Sequence, residues 1–177
     1  MIKSILVTTL VSGLSSSVLA QHHGHGGGTA SPYASFADRE IKALSAEQLT
    51  DLREGRGMSL SLPAELNGYP GPKHVLELAD GLGLTPAQRQ QTEGLFEQMK
   101  FEAIQIGKRL IIEEKTLEKL FTVPGAALES TKAAVEAIAQ TQGKLRVIHL
   151  KYHLLMAAAL TPAQSRRYSE LRGYVQQ

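Results

Sequence analysis

Two long stretches of the chain carry apolar residues at the spacing of a helix face. After Pro86 no proline occurs before Pro124, and small or apolar residues recur in three- and four-residue steps as far as Phe121. The steps resume at Leu128 and continue to Met156. The pattern predicts an all-α fold built on a long antiparallel helical hairpin. The stripe of the first long helix comprises Thr92, Leu95, Met99, Ala103, Ile106, Leu110, Glu113, Leu117 and Leu120.

The rest of the pattern predicts short helices flanking this hairpin. One is expected at about 36–53 and a second from Pro72 to about 81–83, each followed or ended by glycine. A last helix begins at Pro162. Residues 55–71 are punctuated by Gly and Pro, which predicts a loop with about one helical turn.

The first long helix carries more apolar surface than one partner helix can cover. Several apolar residues lie off its main stripe, namely Phe96, Phe101, Ile104, Ile111 and Ile112. Large exposed apolar surfaces mark sites of contact with another element or another molecule. Either the shorter helices or a second subunit must therefore cover these side chains, and we favour a homodimer.

One five-residue sequence occurs twice in the chain. Leu-Thr-Pro-Ala-Gln stands at 84–88 and again at 160–164, and a looser copy, Leu-Ser-Ala-Glu-Gln, stands at 44–48. In each copy the Thr or Ser is expected to cap a helix while the Gln reaches back to the cap's amide, which is a capping box. Any helix can begin this way, but two identical copies opening two helices are a more specific signal.

The first residues have the features of a secretory signal. Lys3 supplies a positive charge, residues 5–11 are apolar, and Val18-Leu19-Ala20 suits a signal peptidase. We expect cleavage after Ala20, which places the protein in the periplasm without membrane insertion. The predicted organisation is then a signal peptide (1–20), a flexible His/Gly-rich tail (21–37), a short helix with a Gly/Pro-rich loop (38–71) and the main helical domain (72–177).

Composition narrows the classes of function. The 177-residue chain has no cysteine, which excludes a lipid anchor at the cleavage site, disulfides and thiolate metal sites. A net charge of +2 argues against nucleic-acid binding. The sequence has no nucleophile–base arrangement, zinc-protease motif or phosphate-binding loop, so we expect no catalytic residues and a non-enzymatic role.

These features together resemble the Spy/CpxP superfamily of periplasmic proteins. The shared features are a signal peptide, the absence of cysteine, an all-helical body and paired Leu-Thr-x-x-Gln motifs, over about residues 72–174. The resemblance implies a hooked helical hairpin that dimerises into a cradle-like body. It also implies a role as an ATP-independent chaperone, as a repressor of an envelope-stress sensor kinase, or as a sensor or buffer of zinc, nickel, cobalt or copper.

Several of the six histidines lie in the tail. After cleavage at Ala20 the chain begins Gln21-His22-His23, and its amine, two backbone amides and the His23 imidazole can bind Cu(II) or Ni(II) in a square plane. His25 follows closely and adds to the predicted tail site. Cyclisation of Gln21 would block the amine, and the alternative interpretation is a solvated low-complexity tail.

His149 and His153 share one helix face because they are four residues apart. Two imidazoles on one face supply half of a metal site. A hairpin turn centred near Val123 would place Glu93 at the height of His153, on a flank that His74 of the short second helix can reach. A purely structural role for these histidines stays open.

The metal-sensing branch of the family resembles this layout. It places two His on the short first helix, a Glu early on the long helix and a His-x-x-x-Met pair on the returning helix. By position, the resemblance implies His74, Glu93 and His149 as ligands, with His153 standing where the family has Met. The second His expected near His74 is missing. Such a nitrogen and oxygen set suits Zn(II), Ni(II), Co(II) or Cu(II) better than Cu(I), and folding is expected to require none of them.

The sequence therefore favours a metal-responsive sensor or buffer. The alternatives are a chaperone that holds unfolded client proteins on the dimer and a repressor that binds a membrane sensor kinase. These roles are compatible with one another, because a metal could tune a chaperone.

Overall fold

The structure is a computed structural model that describes residues 31–174. The described part is all-helical and contains no strand, which confirms the all-α class predicted from the sequence. The chain divides after Ala34, and the unit described below begins at Ser35. A 3-10 helix at Ala34–Phe36 precedes six α-helices: α1 (Ala46–Glu54), α2 (Leu62–Glu65), α3 (Pro72–Glu77), α4 (Pro86–Phe121), α5 (Leu128–Ala159) and α6 (Pro162–Leu171).

The two long helices, α4 and α5, lie where the apolar pattern predicts them, and a break around Pro124 separates them. Their contacts fix how they lie together. The Gln88 amide nitrogen donates a 3.2 Å hydrogen bond to the Ala159 carbonyl oxygen. The Lys151 ammonium lies 2.6 Å from a Glu102 carboxylate oxygen. The start of α4 thus lies beside the end of α5, and the middle of α4 beside the second half of α5.

All three copies of the repeated motif form complete capping boxes. At the start of α4, the Thr85 hydroxyl oxygen accepts a hydrogen bond from the Gln88 backbone N–H at 3.1 Å, and the Gln88 side-chain oxygen accepts one from the Thr85 N–H at 3.1 Å. The copies that open α1 and α6 are bonded in the same way. The local chemistry of the motif therefore sets three helix starts.

The first short helix begins later than predicted. α1 starts at Ala46, whereas the apolar pattern predicts a start near residue 36. The reason is the capping box at Ser45, which satisfies the first free amides of a helix beginning there.

The second short helix ends earlier than predicted. α3 stops at Glu77, and residues 78–83 form turns. Gly83 has a φ of +60°, and the Leu84 N–H bonds to the Ala79 carbonyl at 3.1 Å. This turn redirects the chain towards the cap of α4, so the helix cannot extend to Gly83. The predicted helical turn in the Gly/Pro-rich loop is α2.

The crossing of α1 over α4 is so close that only glycine fits there. A Cβ atom at Gly107 would lie 2.2 Å from the Leu52 carbonyl oxygen. The first apolar core surrounds this crossing and consists of Ile41, Leu49, Leu52, Ala103, Leu110, Ile111, Ile138 and Leu145. Residues 38–71 therefore share a core with the long helices.

This crossing shifts the buried stripe of α4. The sequence pattern runs through Ile106 and Glu113, whereas the buried positions are Gly107 and Glu114. The buried stripe shifts by one residue at these positions because α1 packs on the side of α4 that carries Gly107. A stripe derived from one partner helix, α5, does not take this second neighbour into account.

A second apolar core joins α3, α5 and α6 at the opposite end of the long helices. Its buried members are Val75, Leu82, Met156, Leu160 and Tyr168. The side-chain amides of Gln88 and Gln164 lie at this end, and each donates a hydrogen bond to the other, at 2.9 and 3.0 Å. The two identical motifs thus bind each other as well as capping their own helices.

Several apolar side chains of the long helices remain exposed. Phe101 and Ile112 of α4 are 65% and 64% exposed, and Val147, Leu154 and Leu155 of α5 are also exposed. The shorter helices therefore bury only part of the apolar surplus. Across residues 31–174, no helix combines the length and apolar character needed to cross a membrane.

Candidate metal-binding cavity

A cavity of about 300 Å³ lies where the loop after α1, α3 and the two long helices meet. Three of the four folded-site residues predicted from the sequence, His74, His149 and His153, line it. Other side chains on its wall include Met58, Glu65, Lys73, Met99, Arg172 and Tyr174. The fold thus gathers histidines from α3 and α5 at one place.

His149 is the most enclosed of the three histidines. It is 1% exposed, and its Nε2 atom is buried without a hydrogen-bond partner among the residues that the structure describes. Burial, and secondarily the charge of His153, lowers the pKa of His149 to about 4. The ring is therefore neutral at pH 7 and has a nitrogen lone pair, which is the form that binds metals.

His153 lies one turn further along α5 and is fixed by the loop before α3. Its Nδ1 lies 2.7 Å from the Tyr69 carbonyl oxygen, and because a carbonyl only accepts, Nδ1 carries the proton of that bond. In the neutral ring this leaves the lone pair on Nε2. Metal-binding histidines are commonly oriented in this way, through a backbone carbonyl on the second nitrogen.

Gly71 leaves the space that the His153 ring occupies. A Cβ atom at position 71 would lie 2.8 Å from His153 Nε2. Gly71 has a φ of −83°, which any residue can adopt, so the constraint at this position is space and not backbone conformation.

His74 is the third residue of α3 and lies partly exposed at the surface. Its side chain is 34% exposed, and Nδ1 lies 2.8 Å from a Glu77 carboxylate oxygen. The hydrogen bond from His74 lowers the pKa of Glu77. The ring therefore lines the cavity while its Nδ1 is engaged with a carboxylate of its own helix.

Glu93 does not join the three histidines. It is exposed and is not part of the cavity wall, so the cavity holds three of the four expected ligands, and a ligand role for Glu93 stays a prediction. The contacts of Gln88 with Ala159 and of Glu102 with Lys151 put Glu93 opposite the part of α5 about one helical turn beyond His153. A turn centred at Val123 would instead put Glu93 opposite His153. The difference arises because the connection between α4 and α5 is centred beyond Val123, between Phe121 and Leu128.

Glu65 is a buried acid at this site that the sequence reasoning missed. Its Oε1 accepts hydrogen bonds from the hydroxyls of Tyr168 and Tyr174, the latter at 2.9 Å, and its Oε2 accepts one from the Gly71 N–H at 3.2 Å. Oε2 also lies 3.7 Å from His153 Nδ1. Burial, and then the bond to Glu65, raises the pKa of Tyr168, which keeps that hydroxyl a donor.

Two methionines line the cavity wall. Met99 of α4 is 7% exposed, and Met58 lies in the loop with a φ of +42°, in the left-handed region. Met58 also packs against the first apolar core. A thioether is a soft ligand that binds Cu(I) in preference to hard cations.

The histidines, taken with the nearby acids, do not form a complete ligand set in this conformation. Among residues 31–174, no group of three or more His, Asp or Glu side chains is positioned to hold a metal ion. The predicted tail ligands His22, His23 and His25 lie outside the described residues.

Comparison of this chain with protein-family models, with curated proteins and with solved structures gives no match. The function is therefore inferred from the residues of the cavity.

Proposed function

We propose that this chain is a metal-responsive binding protein of the periplasm without enzymatic activity. One observation carries the proposal: His74, His149 and His153 line one cavity although α3 and α5 are far apart in sequence, and the buried Nε2 of His149 has no other partner. An unpaired buried nitrogen costs free energy, so a ligand that binds it stabilises the occupied state.

Binding in this proposal changes the position of His74. The His149 and His153 rings are held by burial and by the Tyr69 carbonyl, whereas His74 is part-exposed and bonded only to Glu77. Release of His74 from Glu77 would let it join the other two imidazoles. A divalent ion such as Zn(II), Ni(II), Co(II) or Cu(II) would then connect α3 to α5, which is the change a sensor needs.

The test is calorimetric titration of the chain with Zn(II), Ni(II) and Cu(II). A background with His22, His23 and His25 changed to alanine separates the folded site from the tail. In this background we expect sub-micromolar binding that is lost in a His149→Ala/His153→Ala variant. Glu93→Gln is the matched control, and we expect it to bind as the background does.

Two results would count against the proposal. Binding that disappears with the tail histidines alone would make the chain a metal scavenger through its tail. Absence of tight binding in every version would remove the metal role altogether. Loss of metal binding in Glu93→Gln would instead show that Glu93 is a ligand, as the sequence predicts.

The resemblance to the Spy/CpxP superfamily extends the proposal to the whole fold. We propose that α4 and α5 form the antiparallel hairpin of that family and that two chains associate as a dimer. The capping boxes at Thr85 and Thr161 and the contact between Gln88 and Gln164 support this assignment. Sedimentation velocity of the full chain measures the oligomeric state directly.

A second candidate function is binding of unfolded client proteins or of a sensor kinase. It is favoured by the exposed apolar side chains of the long helices, Phe101, Ile112, Val147, Leu154 and Leu155. An aggregation assay with a denatured client, run with and without metal, tests it. Suppression of aggregation that does not depend on His149 and His153 would establish a chaperone role separate from the metal site.

A further inference from the structure

We propose that Met99 supplies a thioether ligand beside His149 and His153, which makes this cavity a site for a soft monovalent cation, Cu(I) or Ag(I). The inference rests on the proposed metal-binding function and names the class of metal. It replaces the carboxylate expected at Glu93, which lies outside the cavity, with a sulfur atom from the same helix.

The register of the long helices places Met99 at the height of the two histidines. Along α4, Met99 lies between Gln88, which contacts Ala159, and Glu102, which contacts Lys151. The part of α5 opposite Met99 therefore lies between Lys151 and Ala159, a stretch that contains His153, and His149 follows about one helical turn away on the same face. Met99 is 7% exposed and lines the same cavity as both rings.

The available donor atoms favour a soft cation. The Nδ1–H of His153 is bonded to a carbonyl, so a neutral His153 ring offers its Nε2 lone pair. The Nε2 atom of His149 is buried and unpartnered, and it can bind a cation in the tautomer that carries its proton on Nδ1. Two neutral imidazoles and a thioether form a ligand set without charge, which suits Cu(I) and Ag(I). Such a set consists of two histidines and one methionine, so it does not require the group of three His, Asp or Glu side chains that residues 31–174 lack.

The one buried carboxylate at the cavity is already engaged. Glu65 accepts hydrogen bonds from Tyr168, Tyr174 and the Gly71 N–H. Its use as a ligand would leave buried hydroxyls without an acceptor, which is costly. The thioether of Met99 has no hydrogen bond to lose, so a soft cation can bind without breaking this network.

Ag(I) is the probe, because it has the ligand preferences of Cu(I) and does not change oxidation state. The protein is the full chain with His22, His23 and His25 changed to alanine. We expect Met99→Leu to weaken Ag(I) binding by at least about tenfold, the lower end of what loss of even an outer partner of a metal site produces. The same variant should bind Zn(II) or Ni(II) as before.

Met156→Leu is the matched control. Met156 is also buried on the long helices, at 0% exposure, but it belongs to the second apolar core and not to the cavity wall. Leucine replaces methionine at similar volume, so neither substitution is expected to unfold the protein. Met156→Leu should leave Ag(I) binding unchanged.

Two further measurements report on the ligand atoms themselves. The chain has four methionines, so their methyl signals can be followed separately by NMR after carbon-13 labelling. Addition of Ag(I) should shift the Met99 methyl and leave that of Met156 in place. Gly71→Ala, whose Cβ would lie 2.8 Å from His153 Nε2, should weaken Ag(I) binding although it removes no ligand.

The outcomes separate this inference from the function on which it rests. If Met99→Leu binds Ag(I) like the parent, or if Ag(I) shifts Met58 and not Met99, the thioether assignment is wrong. Loss of divalent binding in the His149→Ala/His153→Ala variant would then still support the proposed function. If the parent binds no Ag(I), the cavity is not a soft-cation site, whatever it does with Zn(II).

Discussion

His149 combines deep burial with a nitrogen that bonds to no residue between 31 and 174. Its spacing from His153 could be predicted from the sequence, because residues four apart in a helix share a face. Its burial and its unpartnered Nε2 could not, since both depend on how α4 and the loop after α1 close over α5. The sequence pattern thus identifies the residue, and the structure identifies the atom, the buried Nε2 of His149.

The lowered pKa of His149 predicts a pH-dependent stability in the metal-free protein. The folded-state pKa of about 4 lies below the ordinary 6.5, so the unfolded chain binds the proton first as the pH falls. Stability is therefore lost between pH 6.5 and pH 4 and is unaffected by this group above that window. The loss amounts to up to about 3 kcal/mol over the window.

Urea unfolding at pH 7.5 and at pH 4.5 measures this loss. A His149→Gln variant removes the titrating ring and should lose less free energy of unfolding than the parent as the pH falls. Equal losses in the two proteins would show that other groups cause the pH dependence.

Two site residues show what the sequence could not supply at this scale. Glu65 was missed because it lies in a Gly/Pro-rich loop without helical periodicity, and its partners Tyr168 and Tyr174 are about a hundred residues away. Glu93 lies outside the cavity, about one turn from the height estimated from a turn centred at Val123. A difference of a few residues in the connection between two long helices moves opposing side chains by about one helical turn.

The helices themselves were largely predictable where local chemistry decides. The capping boxes at Ser45, Thr85 and Thr161 begin α1, α4 and α6, and the pattern of each box is visible in five residues. The buried stripe of α4 was not predictable in its second half, because the position of Gly107 against α1 is a tertiary contact.

Substitution of alanine for glycine is expected to have opposite effects on the free energy of unfolding at Gly107 and at Gly143. Gly107→Ala would place a Cβ atom 2.2 Å from the Leu52 carbonyl oxygen and force α1 away from α4. We expect a loss of about 1–3 kcal/mol in the free energy of unfolding. Gly143→Ala, in α5 with open space at its Cβ, should instead stabilise the protein by about 0.5–1 kcal/mol.

Urea denaturation of both variants, followed by far-UV circular dichroism, provides the measurement. A Gly107→Ala protein as stable as the parent would mean that α1 does not pack on α4 at this distance.

At the scale of the whole molecule, the two copies of the repeated motif connect the ends of the fold. The side-chain amides of Gln88 and Gln164 exchange hydrogen bonds at 2.9 and 3.0 Å, and Gln88 also donates to the Ala159 carbonyl. Gln48 of the third copy caps α1 without a partner of this kind. The sequence showed the repetition, but the pairing is a property of the folded chain.

This pairing predicts a coupling between two distant positions. In a double-mutant cycle, Gln88→Ala and Gln164→Ala should be coupled by about 1 kcal/mol, the net value of such hydrogen bonds. The same cycle with Gln48→Ala and Gln164→Ala should give no coupling. Each pair of substitutions disrupts two capping boxes, but only the pair of Gln88 and Gln164 also removes a direct hydrogen-bonded contact. Equal couplings in the two cycles would contradict the pairing.

The separation of the two apolar cores affects how quickly the cavity can open. No buried residue belongs to both cores, and α4 and α5 are the elements that run between them. The cavity contacts the smaller core, to which α3 and α6 contribute, through Tyr174, and the larger core through Met58. We therefore expect amide hydrogens of α3 to exchange with solvent through a partial opening, while those around Gly107 exchange only when the whole protein unfolds. Exchange of a bound ion would then be limited by the rate of that partial opening and would leave the larger core intact.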